Sequence, residues 1–210
     1  MDNEHNYNEN NYNINGETAG EAVLTAEERR IVRRNKIIKE IISWLVFIAV
    51  AWLLSLLVRH VIIVNAIVPS GSMRPTVEEN TRLIAFRLSY TFSEPQRNHV
   101  VVAVSPNDGV TLYLKRIVGL PGETIEVING RVYINGASEP LTEDFILETP
   151  HPRNDVPLTL IPEGMFFVMG DNRNDSSDSR NWRDPFLPRE NVVGRAIFTY
   201  FPFSRIGLIR

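Results

Sequence analysis

Residues 41–58 constrain this chain most: about 18 consecutive positions without a charged side chain. At ~1.5 Å per residue a helix over this stretch reaches ~27 Å, close to the hydrocarbon thickness of a bilayer. A helix on the flank of a small globular core keeps one polar face, and this run has none. The sequence therefore predicts a transmembrane anchor over residues 41–60. The run is longer than the ~7–15 apolar residues usual in a cleaved signal peptide. Its Ala49-Val50-Ala51 has the Ala-x-Ala form but lies mid-helix, where no extended backbone is offered for cleavage. The anchor reads as uncleaved.

The flanks orient it. Arg29, Arg30, Arg33, Arg34, Lys36 and Lys39 precede the span, whereas only Arg59 and Arg74 follow closely. The positive-inside rule then puts the N-terminus in the cytoplasm and the chain after residue 60 on the other side of the cell membrane, crossing once. Residues 25–40 form a basic juxtamembrane helix, opened by the capping box Thr25-Ala26-Glu27-Glu28. Residues 1–24 hold Asn3, Asn6, Asn8, Asn10, Asn11, Asn13 and Asn15 among Glu, Tyr and Gly. So little apolar surface cannot offset chain entropy, and this tail is expected to be disordered. Residues 61–210 are left as an extracytoplasmic domain.

Composition removes several kinds of chemistry. A net charge of −3 over 210 residues does not suggest a nucleic-acid partner. With no cysteine there is no disulfide, thiolate metal site or Cys nucleophile. His5, His60, His99 and His151 are scattered without metal-ligand spacing, so neither a metal nor an organic cofactor is expected.

The outer domain reads as β. Strands are predicted over 99–104, 110–118, 165–169 and 192–200, with a hairpin of 124–128 and 131–134 around Asn129-Gly130. Residues 141–160 carry prolines at 140 (just before), 150, 152 and 157 and are expected to be irregular. No amphipathic helix is needed.

Three stretches carry chemistry. Ser70-Gly71-Ser72-Met73-Arg74-Pro75-Thr76 ends an extended apolar approach over 61–69. A glycine between two serines suits a sharp turn that presents a hydroxyl and aims backbone N–H groups at one point. A nucleophile with an oxyanion hole needs that arrangement, although Ser-Gly-Ser alone reads as readily as a polar turn. In Tyr113-Leu114-Lys115-Arg116-Ile117, alternation puts Lys115 on one face with Tyr113 and Ile117, and Arg116 on the other. A lysine on an apolar face is costly unless paired or neutral, and a neutral amine can take a hydroxyl proton. The alternative is a lysine that snorkels to water. Residues 170–180, Gly-Asp-Asn-Arg-Asn-Asp-Ser-Ser-Asp-Ser-Arg, form a long polar loop after the 165–169 strand, and its carboxylate spacing does not match an EF-hand.

Taken together, in this order, these stretches resemble the type I signal peptidases, the membrane-bound Ser/Lys proteases that remove signal peptides from exported proteins. The resemblance covers the anchor and nearly all of residues 61–203, and the single span with a compact outer domain is similar to the Gram-positive form. It implies the antiparallel β fold of that family. It implies Ser72 as nucleophile, Lys115 as general base, and the Ser72 N–H with the Ser70 hydroxyl as oxyanion hole. Ser176 would orient the lysine, with Asp178, Arg180 and Arg116 bracing the site by charge pairing. Ile67, Val68 and Leu114 would line shallow apolar subsites for small side chains, as in Ala-x-Ala. The partners implied are signal peptides of preproteins, the lipid bilayer and the nearby secretion translocon. The sequence departs from the family at Arg97-Asn98-His99, where Arg-Gly-Asp is common.

Two other readings compete. A different Ser/Lys protease, such as a repressor-type autoprotease, requires a DNA-binding head and a soluble chain, which residues 41–58 oppose. A catalytically silent, membrane-anchored β binding domain has no need of both Ser72 and Lys115.

Overall fold

The structure, a computed structural model, describes residues 25–210 except 147 and 153. The tail expected over residues 1–24 lies outside the described residues. Helix α1 (Ala26–Leu57) begins at the expected capping box. The Glu28 N–H donates to Thr25 Oγ1 at 3.3 Å, and the Thr25 N–H donates to Glu28 Oε2 at 2.7 Å. With the turn Val58–Ile62 the helical run reaches Ile62, long and apolar enough by length and composition to cross a membrane. Its large apolar side chains, among them Trp44, Phe47 and Trp52, are exposed.

The unit that follows the helix is antiparallel β throughout, as expected. Its main sheet joins β1 (Ile63–Ile67), β2 (Arg82–Phe86), β10 (Val192–Phe201), β3 (Val100–Val104), β4 (Leu112–Gly119), β8 (Met165–Met169) and β9 (Leu187–Pro188), in that spatial order. A short β11 (Gly207–Leu208) pairs with β10. A second sheet has β5 (Thr124–Ile128) between β6 (Arg131–Ile134) and β7 (Val156–Leu160). The β5–β6 turn is the Asn129-Gly130 hairpin, with φ of 51° and 75°, the left-handed pair that Asn-Gly adopts at low strain.

One expectation fails. Residues 156–160 are a strand although Pro157 lies within them. Strand β7 is the edge of its sheet, where a missing N–H can face away from the ladder.

Alternation along β4 places the site. In the register Val101↔Lys115, Ile117 joins a core cluster with Val101, Phe166, Val168 and Trp182, against which Tyr113 packs. Leu114, on the opposite side, packs on a second cluster that contains Val64, Val68, Met73, Val77 and Val102. Fully buried Met73 thus pins the turn that follows Ser72 into the core. Met73→Ala should lower stability by about 2–5 kcal/mol, and Met73→Leu by less than about 1.5 kcal/mol. Thermal melts of the detergent-solubilised protein check this pair.

Candidate active site

The turn after β1 is held by groups remote in sequence. The Asn172 N–H donates to the Ser72 carbonyl at 3.0 Å, and Asn172 Nδ2 donates to the Gly71 carbonyl at 3.1 Å. Gly71 is not in the left-handed region. A Cβ there would meet only the exposed Glu79 and Arg74 side chains, Glu79 Oε1 at 2.8 Å, which can swing aside. So held, Ser72 is 9% exposed, and its Oγ accepts a 2.9 Å hydrogen bond from Lys115 Nζ. The exposed Ser70 hydroxyl lies beside it, 3.4 Å from Ser72 Oγ.

Lys115 is 4% exposed. Its Nζ lies 5.5 Å from the centre of the Tyr113 ring, which is itself stacked on Trp182. Burial therefore pulls the Lys115 pKa from the ordinary 10.5 down to about 8, assisted by the Arg180 charge and opposed by Asp178 and Asp171. An amine so tuned, in reach of a hydroxyl, can accept its proton near neutral pH.

The two nearby carboxylates would undo this if they acted on the lysine unscreened. Each is instead gripped by an arginine fork. Arg180 bonds Asp178 through two contacts of 2.8 Å, and the Gly170 N–H adds a third at 2.9 Å. Burial alone would push the Asp178 carboxyl up, but Arg180 and the Gly170 N–H hold it below the usual range. Arg116, beside Lys115 in sequence but turned to the other face, bonds Asp171 at 2.8 and 2.6 Å. Thr76 Oγ1 donates to the same Asp171 carboxylate at 2.5 Å, which ties the serine turn to β4.

Asp171, Thr76 and Asn172 were given no role by sequence reasoning. Asp171 stood inside a recognised loop, but its pairing with a residue 55 positions away became visible only in the fold. Ser176 is brought to the site but makes no bond to Lys115; its buried Oγ lies instead by the Asp178 carboxylate, whose charged form it favours. It sits over Gly170, where a Cβ would come within 2.3 Å of Ser176 Oγ and 2.4 Å of the Ser72 carbonyl. At the departure noted above, Asn98 has φ of 69°, a left-handed conformation that glycine takes most easily and asparagine next. Its carbonyl accepts from Arg116, while His99 Nδ1 and the Tyr90 hydroxyl share a hydrogen bond of 3.1 Å.

A cavity of about 550 Å³ opens onto Ser72 and Lys115, and Ile67, Val68 and Leu114 all line it. Strand β1 is the last of its sheet, and β4 pairs with β8 only from Arg116 onward, so residues 112–115 have no partner on that side. Two unpaired strand edges thus contribute to the walls of one groove, the shape that receives an extended chain.

A β domain that seats a serine hydroxyl on a buried amine, at the end of a groove for extended peptide, has the equipment of a peptidase. Residues 41–201 match the family described as "Signal peptidase, peptidase S26". The chain is 43% identical over 165 residues to a "Probable signal peptidase I-1" of Synechocystis sp., covering 75% of this chain and 81% of that one. It is 38% identical over 172 residues to a "Signal peptidase I" of Leptolyngbya laminosa, covering 76% and 79%. A "Signal peptidase I" of Bacillus licheniformis is 31% identical over 188 residues, covering 86% and 97%. The chain belongs to the signal peptidase family S26 and is a signal peptidase I, a hydrolase.

Two outcomes follow from the site. Between pH of about 8 and 10.5 the unfolded chain holds a proton that folded Lys115 has shed, so stability rises with pH across that window. Below it the fold bears the full penalty, ~3 kcal/mol. Lys115→Met should therefore be at least as stable as the parent in melts at pH 7, with the advantage shrinking toward pH 10. Gly170→Ala collides with both the Ser72 backbone and Ser176 and must move them apart from the loop, and a shift of ~1 Å can cost ~100-fold in turnover. Cleavage assays of the two proteins at equal folded concentration measure that loss.

Proposed function

We propose that this chain is a membrane-anchored serine endopeptidase that removes signal peptides from exported preproteins after small residues of the Ala-x-Ala type. The observation that carries this reading is the 2.9 Å hydrogen bond between Lys115 Nζ and Ser72 Oγ, with both side chains buried. The exposed apolar helix Ala26–Leu57, with six cations before the uncharged run, supports one membrane crossing with the N-terminus in the cytoplasm.

In this reading the substrate lies extended in the groove, and Ile67, Val68 and Leu114 form shallow apolar subsites. A shallow subsite admits a small side chain and leaves a large one without cover. Neutral Lys115 takes the Ser72 proton as Oγ attacks the scissile carbonyl. The Ser72 N–H and the Ser70 hydroxyl stabilise the oxyanion, each such donor being worth ~2.7–4 kcal/mol. To reach that oxyanion the Ser70 hydroxyl turns from its present contact with Ser72. Protonated Lys115 returns the proton to the leaving amine, and the C–N bond breaks. Water then attacks the acyl-enzyme, giving its proton to Lys115, which passes it to Ser72 Oγ as the ester C–O bond breaks. Asp178 and Asp171, held by Arg180 and Arg116, act on the lysine too weakly to outweigh its burial. The anchor confines this chemistry to the membrane face, where a signal peptide is concentrated.

A preprotein incubated with the solubilised enzyme should be cut once, and sequencing the new N-terminus should place Ala-x-Ala before the cut. Ser72→Ala and Lys115→Ala should each abolish cleavage, and the double variant should be no worse than either, since the two act as a unit. Because only neutral Lys115 serves, kcat/KM should rise with pH through an apparent pKa of about 8. Near-normal turnover by Lys115→Ala would sink the assignment.

A further inference from the structure

Beyond the loop that bears Asp171 and Asp178, a second segment reaches the buried arginines. Residues 141–146 follow β6 and begin with Leu141, whose N–H donates to the Val132 carbonyl at 2.7 Å. Leu141 packs on the core cluster that contains Val118, Phe167 and Met169. The segment then turns, with the Ile146 N–H donating to the Glu143 carbonyl at 3.1 Å. From this one turn two side chains descend on two buried arginines. Glu143 takes a fork from Arg173, with one bond of 2.7 Å from Nη1 and a second from Nη2. The Phe145 ring lies over the Arg116 guanidinium, 3.9 Å from ring centre to Cζ.

Both arginines lead to the reacting groups. Arg173 Nε donates to the Gly170 carbonyl at 3.1 Å, and Gly170 lies against the Ser72 carbonyl. Arg116 follows Lys115 on β4, and its edge is already committed to Asp171, to the Asn98 carbonyl and to a main-chain oxygen of Arg210. The face of a guanidinium accepts no hydrogen bond, so a ring placed there excludes water without competing for those bonds. We propose that Phe145 is a positioning residue for the hydrolysis: it caps Arg116 and thereby holds the Arg116–Asp171 pair fixed beside Lys115. This inference rests on Lys115 being the base.

The consequence has a direction. Lys115 is faced by Ser72 from the turn, by Asp171, Asp178 and Arg180 from the loop, and by Tyr113 of its own strand, while Arg116, on the other face, bears on it through Asp171. Of these, Asp171 and Asp178 favour the charged amine and Arg180 opposes it. Removing the cap admits water to Arg116 and slackens its hold on Asp171, whose charge then acts on Lys115 less cancelled. Water entering the site also relieves the lysine's desolvation. Both effects favour the ammonium form, so more alkali is needed to reach the active state. Phe145 is itself neutral, so its replacement introduces no charge of its own.

The test is the pH profile of kcat/KM for preprotein cleavage by the full-length solubilised enzyme, measured for the parent, Phe145→Ala, Phe145→Leu and Phe145→Tyr, each with its thermal melt. Phe145→Ala should move the acidic limb up by about one pH unit, with an activity loss of about tenfold at pH 7 that shrinks at high pH. Phe145→Tyr, which keeps the ring, should follow the parent. Phe145→Leu, which keeps bulk without the π face, should fall between them and supplies the reading if the alanine variant does not fold. A lowered melting temperature with the limb unmoved would make Phe145 merely structural and overturn the inference. Survival of parental activity in Lys115→Ala would instead overturn the base assignment, and the two failures are distinct.

Discussion

The site depends on keeping one lysine amine out of water. Dehydration by Tyr113, Trp182 and the core beneath β4 brings Lys115 within reach of neutrality. That condition is fragile, because two carboxylates lie close enough to favour the ammonium form. The protein does not remove them. It binds Asp178 to Arg180 and Asp171 to Arg116, so that each negative charge is partly offset and burial outweighs what still reaches the lysine. Buried ion pairs of this kind are weak sources of stability, and here their value lies in the field they set at Lys115.

The same bonds hold the geometry. Asp171 receives Arg116 from β4 and Thr76 from the turn after Ser72, while the next residue, Asn172, holds the carbonyls of Gly71 and Ser72. One stretch of loop therefore registers the proposed nucleophile against the proposed base. Gly170 lets that loop approach the Ser72 backbone closely, at a point where any side chain would push the two apart. The short β6–β7 segment adds a cover over both Arg116 and Arg173, so the small sheet also contributes to the site.

The groove follows from sheet topology. Strand β1 ends the main sheet, and β4 is only half paired with β8, which leaves backbone donors and acceptors available beside Ser72. Main-chain pairing of that kind is indifferent to side chains. In the proposed reading, selectivity for small residues near the cut comes from the apolar walls, where Val68 is buried and Leu114 half-buried.

Much of this was legible in the chain itself. The uncharged run over 41–58 determined the long apolar helix, and the Thr25–Glu28 pair its start, because both are local properties of composition and capping. Alternation in residues 113–117 determined that Lys115 would share a face with Tyr113 and Ile117, since the strand period is two. Asn129-Gly130 determined its hairpin through its left-handed φ values. Only the tertiary structure decided what those faces meet. The pairing of Asp171 with Arg116, the close approach at Gly170 and the ring of Phe145 on a guanidinium join residues with no local pattern to link them. The edge position that admits Pro157 into β7 is likewise a property of the sheet. Periodicity states which way a side chain points; which remote segment waits there is decided by chain topology, and on that depend the charge balance and dryness of the site.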